Sequence, residues 1–226
     1  MRIGIGIFVK TPGHSPLKTR LAAGIGSAAA ERFHMLGARA VAAVVREAQQ
    51  LVPGIAPHWA VAEPAALDAD CWNDFPRIAQ GDGDLGRRMG RVCDALLDRF
   101  DAALLLGADT PQIESADLAA AADALPAHPH VLGPSADGGF WLFATRGDVP
   151  PAAWNSTPWS QADTADRFCD AVAGMADATA MPRLRRLRDV DTADDLPPLL
   201  SALDGLAAPL PEQVTLARWM RRSGFA

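Results

Sequence analysis

Ala102-Ala103-Leu104-Leu105-Leu106-Gly107-Ala108-Asp109-Thr110-Pro111 is an apolar run that stops abruptly at a polar turn. No polar residue alternates within it, so neither face can look onto water. A short run of this kind reads as a central strand of a parallel sheet, with the turn at its C-terminal end. Ile3 to Val9 is a second buried run, interrupted by two glycines. It ends in another polar loop, Lys10 to Arg20. His58 to Val61 is a third strand. Val131-Leu132 and Phe140 to Ala144 are short strands around a glycine-rich turn, and Leu187 to Val190 is a last one.

Helical spacing fills the intervals. Ser27 is placed to cap a helix from about Ala28 to Leu51, with Phe33, Leu36, Ala40, Val41, Val44 and Val45 on its apolar side. Asp84 to Phe100 puts Leu85, Met89, Val92, Cys93, Leu96, Leu97 and Phe100 on one face. Ser115 to Leu125, Ser160 to Met175 and Glu212 to Arg222 read as further helices. Thr192 and Asp195 have the spacing of a capping box that opens another. Strands alternating with helices define an open α/β sheet, whose ligands bind at the C-terminal strand ends. Without a repeat or linker, residues 1–226 are expected to form one domain.

Composition bounds the function. The chain has 226 residues and a formal charge of −6, with 49% hydrophobic and 21% charged residues. That content is too apolar for a disordered chain and too acidic for a general nucleic-acid binder. No stretch approaches a membrane span. The apolar N-terminus runs directly into Lys10-Thr11-Pro12-Gly13 and reads as a strand, not a signal peptide. Cys71, Cys93 and Cys169 are too few and too scattered for a disulfide framework or a zinc site. A cytoplasmic location is the default expectation. Arginine outnumbers lysine 19 to 2, yet both lysines, Lys10 and Lys18, fall in the first loop. Either this is chance, or two compact ammonium groups are wanted there.

Four polar clusters could carry chemistry. Lys10, Lys18 and Arg20 put three cations after the first strand, which suits a phosphate chain or a solvated basic loop. Gly13 with Lys18-Thr19 mimics a P-loop but lacks its second glycine. Asp109 either binds a cation with phosphate oxygens or caps its turn. Asp137-Gly138-Gly139 allows close backbone approach to a ligand, or builds a hairpin. Asp189 and Asp191 would project to one side of a strand and could share a cation. Asp82 and Asp84 are a second possible metal pair, with a helix cap as the simpler role. Gly81 to Met89, with Gly83, Arg87 and Arg88, joins a loop to a helix N-terminus, which suits an anionic or base-bearing ligand. Arg183 to Arg188 reads as a solvated edge. His34, His58, His128 and His130 read as structural or exposed, whereas His14 is a possible general base.

Taken in order, Val9-Lys10-Thr11-Pro12, Lys18-Thr19-Arg20-Leu21, Gly83 to Met89, Gly107 to Pro111, Leu132-Gly133-Pro134, Asp137-Gly138-Gly139, Trp159-Ser160 and Asp189 to Thr192 resemble the bacterial DUF2064 or "transferase 1" family. The resemblance implies a single Rossmann-like, glycosyltransferase-A-type α/β domain of the nucleotide-diphospho-sugar transferase superfamily. It further implies a metal-dependent glycosyltransferase with Mg²⁺ or Mn²⁺, a nucleotide-sugar donor and a small-molecule acceptor. Nucleotidyl transfer from a triphosphate to a phosphorylated small molecule, and non-catalytic nucleotide binding, are the alternatives. Carried over by residue, Lys10, Lys18 and Arg20 would contact phosphates, with Gly83 and Arg87 at the nucleotide. Asp109 would be the principal metal ligand, completed by Asp189 and Asp191. Asp137, Gly138, Gly139 and Trp159 would line the sugar or acceptor pocket, with Asp109 and Asp137 catalytic. Phe140 departs from the family, where a tyrosine is frequent.

Overall fold

The computed structural model describes residues 1–174 and 181–225. In chain order the elements are β1 (Ile3–Val9), α1 (Thr19–Ile25), α2 (Ser27–Leu51), β2 (Ile55–Val61), β3 (Arg77–Ala79), α3 (Leu85–Leu97), β4 (Ala102–Gly107), α4 (Ser115–Ala124), β5 (His130–Pro134), β6 (Phe140–Thr145), α5 (Pro151–Ser156), α6 (Thr164–Ala173), α7 (Leu196–Asp204) and α8 (Pro211–Arg222). The strands form one sheet in the order β3-β2-β1-β4-β6-β5. The first four are mutually parallel, and β6 runs antiparallel to both of its neighbours. This is the mostly parallel, helix-flanked α/β sheet that the apolar runs predict.

Both faces of the sheet are covered, which is why β1 and β4 are apolar throughout. Ile3, Ile5, Ile7 and Val9 join Leu104 and Leu106 under α2. On the opposite face, a Cβ on Gly4 would lie 2.5 Å from Phe100 Cδ2, and one on Gly6 2.9 Å from Val92 Cγ1. The two glycines thus let α3 and the residues just after it sit close against the sheet. Phe8, the next residue on that face, stands opposite Gly107 of β4. Both strands therefore end at the same height, at the point where the chain order reverses. Crevices for ligands form at such switch points.

A third core of Leu21, Phe33, Leu196, Leu199, Leu216 and Met220 includes fully buried Val190. It fastens the segment carrying Asp189 and Asp191 to the rest of the molecule. That segment is not the regular strand predicted from Leu187 to Val190. It meets the residue just after β5 through the isolated parallel bridge Ser135↔Leu187. The arginine run before it is more than a solvated edge. Arg185 grips Asp117 at 2.6 Å and Glu114 at 2.9 Å, while Leu184 packs on the core.

Other boundaries moved for local reasons. Gly26, at φ +84°, is the N-cap of α2 and makes no side-chain cap bond, so Ser27 is its first residue and not its cap. Ser160, at φ +63°, cannot start a helix, and α6 begins at Thr164. Met175, the predicted end of that helix, lies outside the described residues. The Thr192–Asp195 capping box forms and leads through a 3-10 turn, Ala193–Asp195, into α7. Short β3, α1 and α5 had too few residues to show a period. Among the described residues, no helix is long and apolar enough to cross a membrane.

Candidate functional site

A cleft opens over the C-terminal ends of β1 and β4, divided into two adjoining cavities of about 480 and 470 Å³. Asp109, Asp191, Arg20, Leu85 and Phe8 line both and form the divide. The larger cavity has aromatic and acidic walls. The smaller holds Lys10, Lys18 and Arg88.

Three carboxylates meet on the aromatic side of the divide, with Asp191 on the divide itself. Asp137 comes from the β5–β6 turn, Asp189 and Asp191 from the segment held by Val190. One carboxylate oxygen of each lies within 4.8 Å of the others. Asp189 is the most enclosed. Burial, then the charge of Asp137, then those of Asp191 and Asp109, push its carboxyl up to about 6. Like charges gathered at this range repel unless a cation sits among them. Asp109 stands beside the group, but its Oδ2 meets Lys18 Nζ at 2.7 Å. The structure therefore gathers Asp137, where the resemblance placed Asp109, with Asp189 and Asp191.

Lys18 is the keystone of the basic loop. Its side chain is 8% exposed, its ammonium also donates to the Val190 carbonyl at 2.5 Å, and Asp191 is 3.9 Å away. Its backbone is left-handed, φ +44°, a conformation that costs a non-glycine residue about 1 kcal/mol or more. The ammonium thus ties the first loop to both β4 and the Asp189–Asp191 segment. Lys18→Ala is expected to lower stability by about 1–3 kcal/mol, the worth of hydrogen bonds to a charged group. It is also expected to weaken nucleoside diphosphates more than nucleosides. Urea denaturation and calorimetric titration read the two effects, and equal loss for both ligands would make Lys18 purely structural.

The loop is held from behind by Glu63 and Trp72, which the sequence did not flag, and by His34, one of the histidines that read as structural or exposed. The Glu63 carboxylate accepts from the Thr11 N–H at 2.9 Å and from the Ser15 hydroxyl. Burial works to raise its pKa, but these bonds win and hold it below the ordinary value. Trp72 Nε1 donates to Thr11 Oγ1, and His34 bonds the Lys10 carbonyl. Burial lowers the His34 pKa, which favours the neutral ring in this structural role.

The aromatic wall depends on one turn. Gly138, at φ +92°, leaves space that the Ala162 carbonyl occupies; a Cβ there would lie 1.8 Å from that oxygen. Gly138 accepts the Ala165 N–H at 2.8 Å. This contact swings residues 159–164 over the cavity, carrying Trp159 and Ser160 to its rim. Trp159 donates its indole N–H to the Trp154 carbonyl at 3.1 Å and so presents ring carbon to the cavity.

Of the predicted residues, Asp109, Asp137, Gly139, Trp159, Asp189, Asp191, Lys10, Lys18 and Arg20 line the cleft. Gly138 serves the wall from behind and does not line it. Gly83 and Arg87 also line neither cavity. The Arg87 stem packs over Gly83, its Cδ 3.1 Å from where a Cβ would stand, and Arg88 takes the cleft position. Asp84 caps α3 by accepting the Arg87 N–H at 2.9 Å. His14 lines a separate surface hollow behind the loop. Leu85, Met89, Phe140, Thr110 and Gln161 join the larger cavity. Phe140 reads in the sequence only as a departure from the family, Leu85, Met89 and Thr110 lie within the segments that carry the resemblance without a role of their own, and Gln161 carries no signal beyond loop composition.

A mostly parallel sheet with an acidic, cation-flanked cleft at its switch point defines the class of a Rossmann-like α/β fold. The chain belongs to the DUF2064 family, described as an uncharacterized protein conserved in bacteria, whose model matches residues 37–161. That span includes Asp109, Asp137 and Trp159 but neither the basic loop nor Asp189 and Asp191. No functionally curated protein matches the chain. Among solved structures, the chain is similar to a candidate nucleotide-diphospho-sugar transferase from Desulfovibrio desulfuricans G20. The two share 24% identity over 99% of this chain and 97% of that one, with a TM-score of 0.81. It is also similar to the 4-diphosphocytidyl-2C-methyl-D-erythritol synthase of Anaerococcus prevotii DSM 20548, at 10% identity over 98% and 96% of the chains, TM-score 0.55. A CMP:2-keto-3-deoxy-manno-octonic acid synthetase complexed with CTP matches at 15% identity over 88% and 97%, TM-score 0.53. At these identities the likenesses establish the fold.

Proposed function

We propose that the protein is a divalent-cation-dependent transferase. It holds a nucleotide-diphospho-sugar across the divided cleft, phosphates in the basic cavity and sugar in the aromatic one. The observation that carries this reading is the carboxylate cluster: Asp137, Asp189 and Asp191 converge in the aromatic cavity, and Asp191 also borders the adjoining cationic one. Carboxylate oxygens without sulfur or imidazole are the donor set of Mg²⁺ or Mn²⁺. The raised pKa of Asp189 marks a charge that such an ion would neutralise. A bound cation supplies neutralisation of the charge that develops on the leaving phosphate.

The chain's own residues do the rest. Lys10 and Arg20 are exposed at the basic cavity, where Lys10 can turn toward phosphate oxygens and Arg20, paired with Asp191 at 3.1 Å, stands beside them. Lys18 holds Asp109 and the Asp189–Asp191 segment in register. Asp137 lines only the aromatic cavity, where it accepts the proton of the acceptor hydroxyl. The acceptor oxygen bonds to the anomeric carbon as that carbon's bond to the diphosphate breaks. Nucleoside diphosphate leaves, and the proton passes from Asp137 to solvent. Residues 1–226 work as one unit, in the cytoplasm.

Nucleotidyl transfer is the second reading, favoured by one feature. Lys10, Lys18, Arg20 and Arg88 bring four cations to one cavity, of which Lys18 is paired with Asp109 and Arg20 with Asp191. A triphosphate would use them, with pyrophosphate leaving. A thermal-shift panel of nucleotide sugars and nucleoside triphosphates, in Mn²⁺ and in EDTA, separates the two. Ligand at 100 times its Kd is expected to add about 2.7 kcal/mol to stability. A Mn²⁺-dependent shift with a nucleotide sugar supports glycosyl transfer. A shift with one triphosphate alone moves the assignment to nucleotidyl transfer, and no shift with either class sinks both.

A further inference from the structure

The aromatic cavity has walls of two kinds. Asp109, Asp137, Asp189 and Asp191 form one side. Among the described residues lining it, Arg20 is the lone cation, at the rim shared with the basic cavity, and it is paired with Asp191 at 3.1 Å. Lys18 and Arg20 balance two of these carboxylates, and a divalent cation would balance the other two. No net positive charge is left for a further anion, and a dianion would face carboxylates at close range.

The other side is apolar: Phe8, Leu85, Met89, Phe140 and Trp159. Trp159 offers its ring and not its N–H, which is spent on the Trp154 carbonyl. Leu85 is 46% exposed, although the other apolar residues of its helix are packed. A ligand's apolar face would cover it. Between the two sides lies Thr110, only 1% exposed, whose hydroxyl is buried without a hydrogen-bond partner. A buried hydroxyl left unpaired costs about 1–3 kcal/mol, and a ligand hydroxyl reaching it would remove that cost.

We infer that the acceptor is an uncharged, hydroxyl-bearing molecule with one apolar face, and not a phosphate monoester. This rests on the transferase reading and narrows it. A phosphorylated acceptor, as nucleotidyl transfer would use, would meet no unpaired cationic side chain among the described residues lining this cavity.

Paired probes test the inference: p-nitrophenyl hexopyranosides and their 6-phosphates, titrated calorimetrically into the protein with Mn²⁺. Nucleotide binding is measured on the same preparation. At least one neutral glycoside is expected to bind with a Kd tenfold or more below that of its own 6-phosphate. Trp159→Ala is expected to weaken it at least tenfold, with Trp159→Phe restoring most of the loss. Leu85→Ser, at an exposed position, should weaken it about threefold. Equal or tighter binding of the 6-phosphates overturns the inference and leaves the transferase reading standing wherever nucleotides bind. Absence of binding by either member of every pair also overturns it. Neutral binding lost in both variants, without any nucleotide response, keeps the preference of the cavity and discards the transferase reading.

Discussion

Asp189→Asn is expected to make the metal-free protein more stable at pH 7.5 while abolishing its response to divalent cations. In the folded protein the carboxyl is pushed up to about 6, chiefly by burial and the charge of Asp137. In the unfolded chain it titrates near its ordinary value, so between about pH 4 and pH 6 the folded state holds the extra proton. Stability from this group is therefore fully present at low pH and is lost as pH rises through about 6. At 1.36 kcal/mol per pKa unit the loss reaches about 3 kcal/mol above pH 7. Asparagine keeps the shape and carries no charge, so the variant gains most at pH 7.5 and little at pH 4.5. Wild type regains stability with Mn²⁺, and the variant does not. Urea denaturation at both pH values, with EDTA or Mn²⁺, gives all four comparisons. A variant that follows the wild-type pH curve, or still responds fully to Mn²⁺, removes Asp189 from the centre of the site.

Gly138→Ala is expected to cost about 3 kcal/mol or more and to strip residues 159–164 from the cavity wall. Two effects add. At φ +92° a non-glycine residue is strained by about 1–3 kcal/mol. Its Cβ would also lie 1.8 Å from the Ala162 carbonyl oxygen and 2.3 Å from the carbon, backbone atoms that cannot rotate away. Relief requires moving the loop, which breaks the Ala165 N–H bond to Gly138. For a chain of this size the expected fall in Tm is about 6–12 °C. Gly139→Ala is the control. Its Cβ would meet the Asp137 carboxylate at 3.2 Å, with no left-handed backbone to maintain, so its Tm should stay near wild type. If the two variants melt alike, the turn does not carry the wall as described.

Both variants concern residues visible in the sequence, but their roles there were different. Asp189 read as one of two carboxylates on a strand. The segment is irregular, yet buried Val190 between the two acids keeps both on the cleft side. Gly138 read as pocket lining and serves instead as the gap into which a loop fits. Ser160 shows the limit most plainly: its left-handed backbone delays the predicted helix to Thr164, and nothing in its side chain announces that.

What the chain determines locally is burial and its period. Double-sided burial wrote β1 and β4 as unbroken apolar runs, and the glycines of β1 recorded where α3 approaches. Asp109 stood legibly at a strand end, and the Thr192–Asp195 cap could be read because both partners lie within one turn. Tertiary structure alone decided which charges meet. Asp137 joins Asp189 and Asp191 across fifty residues because the turn after β5 and the segment bridged to that turn at Ser135 and Leu187 end at one place. Lys18 reaches Asp109 and Val190 for the same reason: β1 and β4 are neighbours in the sheet and level at their ends. Side-chain periodicity reports how each segment faces the core, whereas partners distant in sequence are set by the path of the backbone, which no local spacing records.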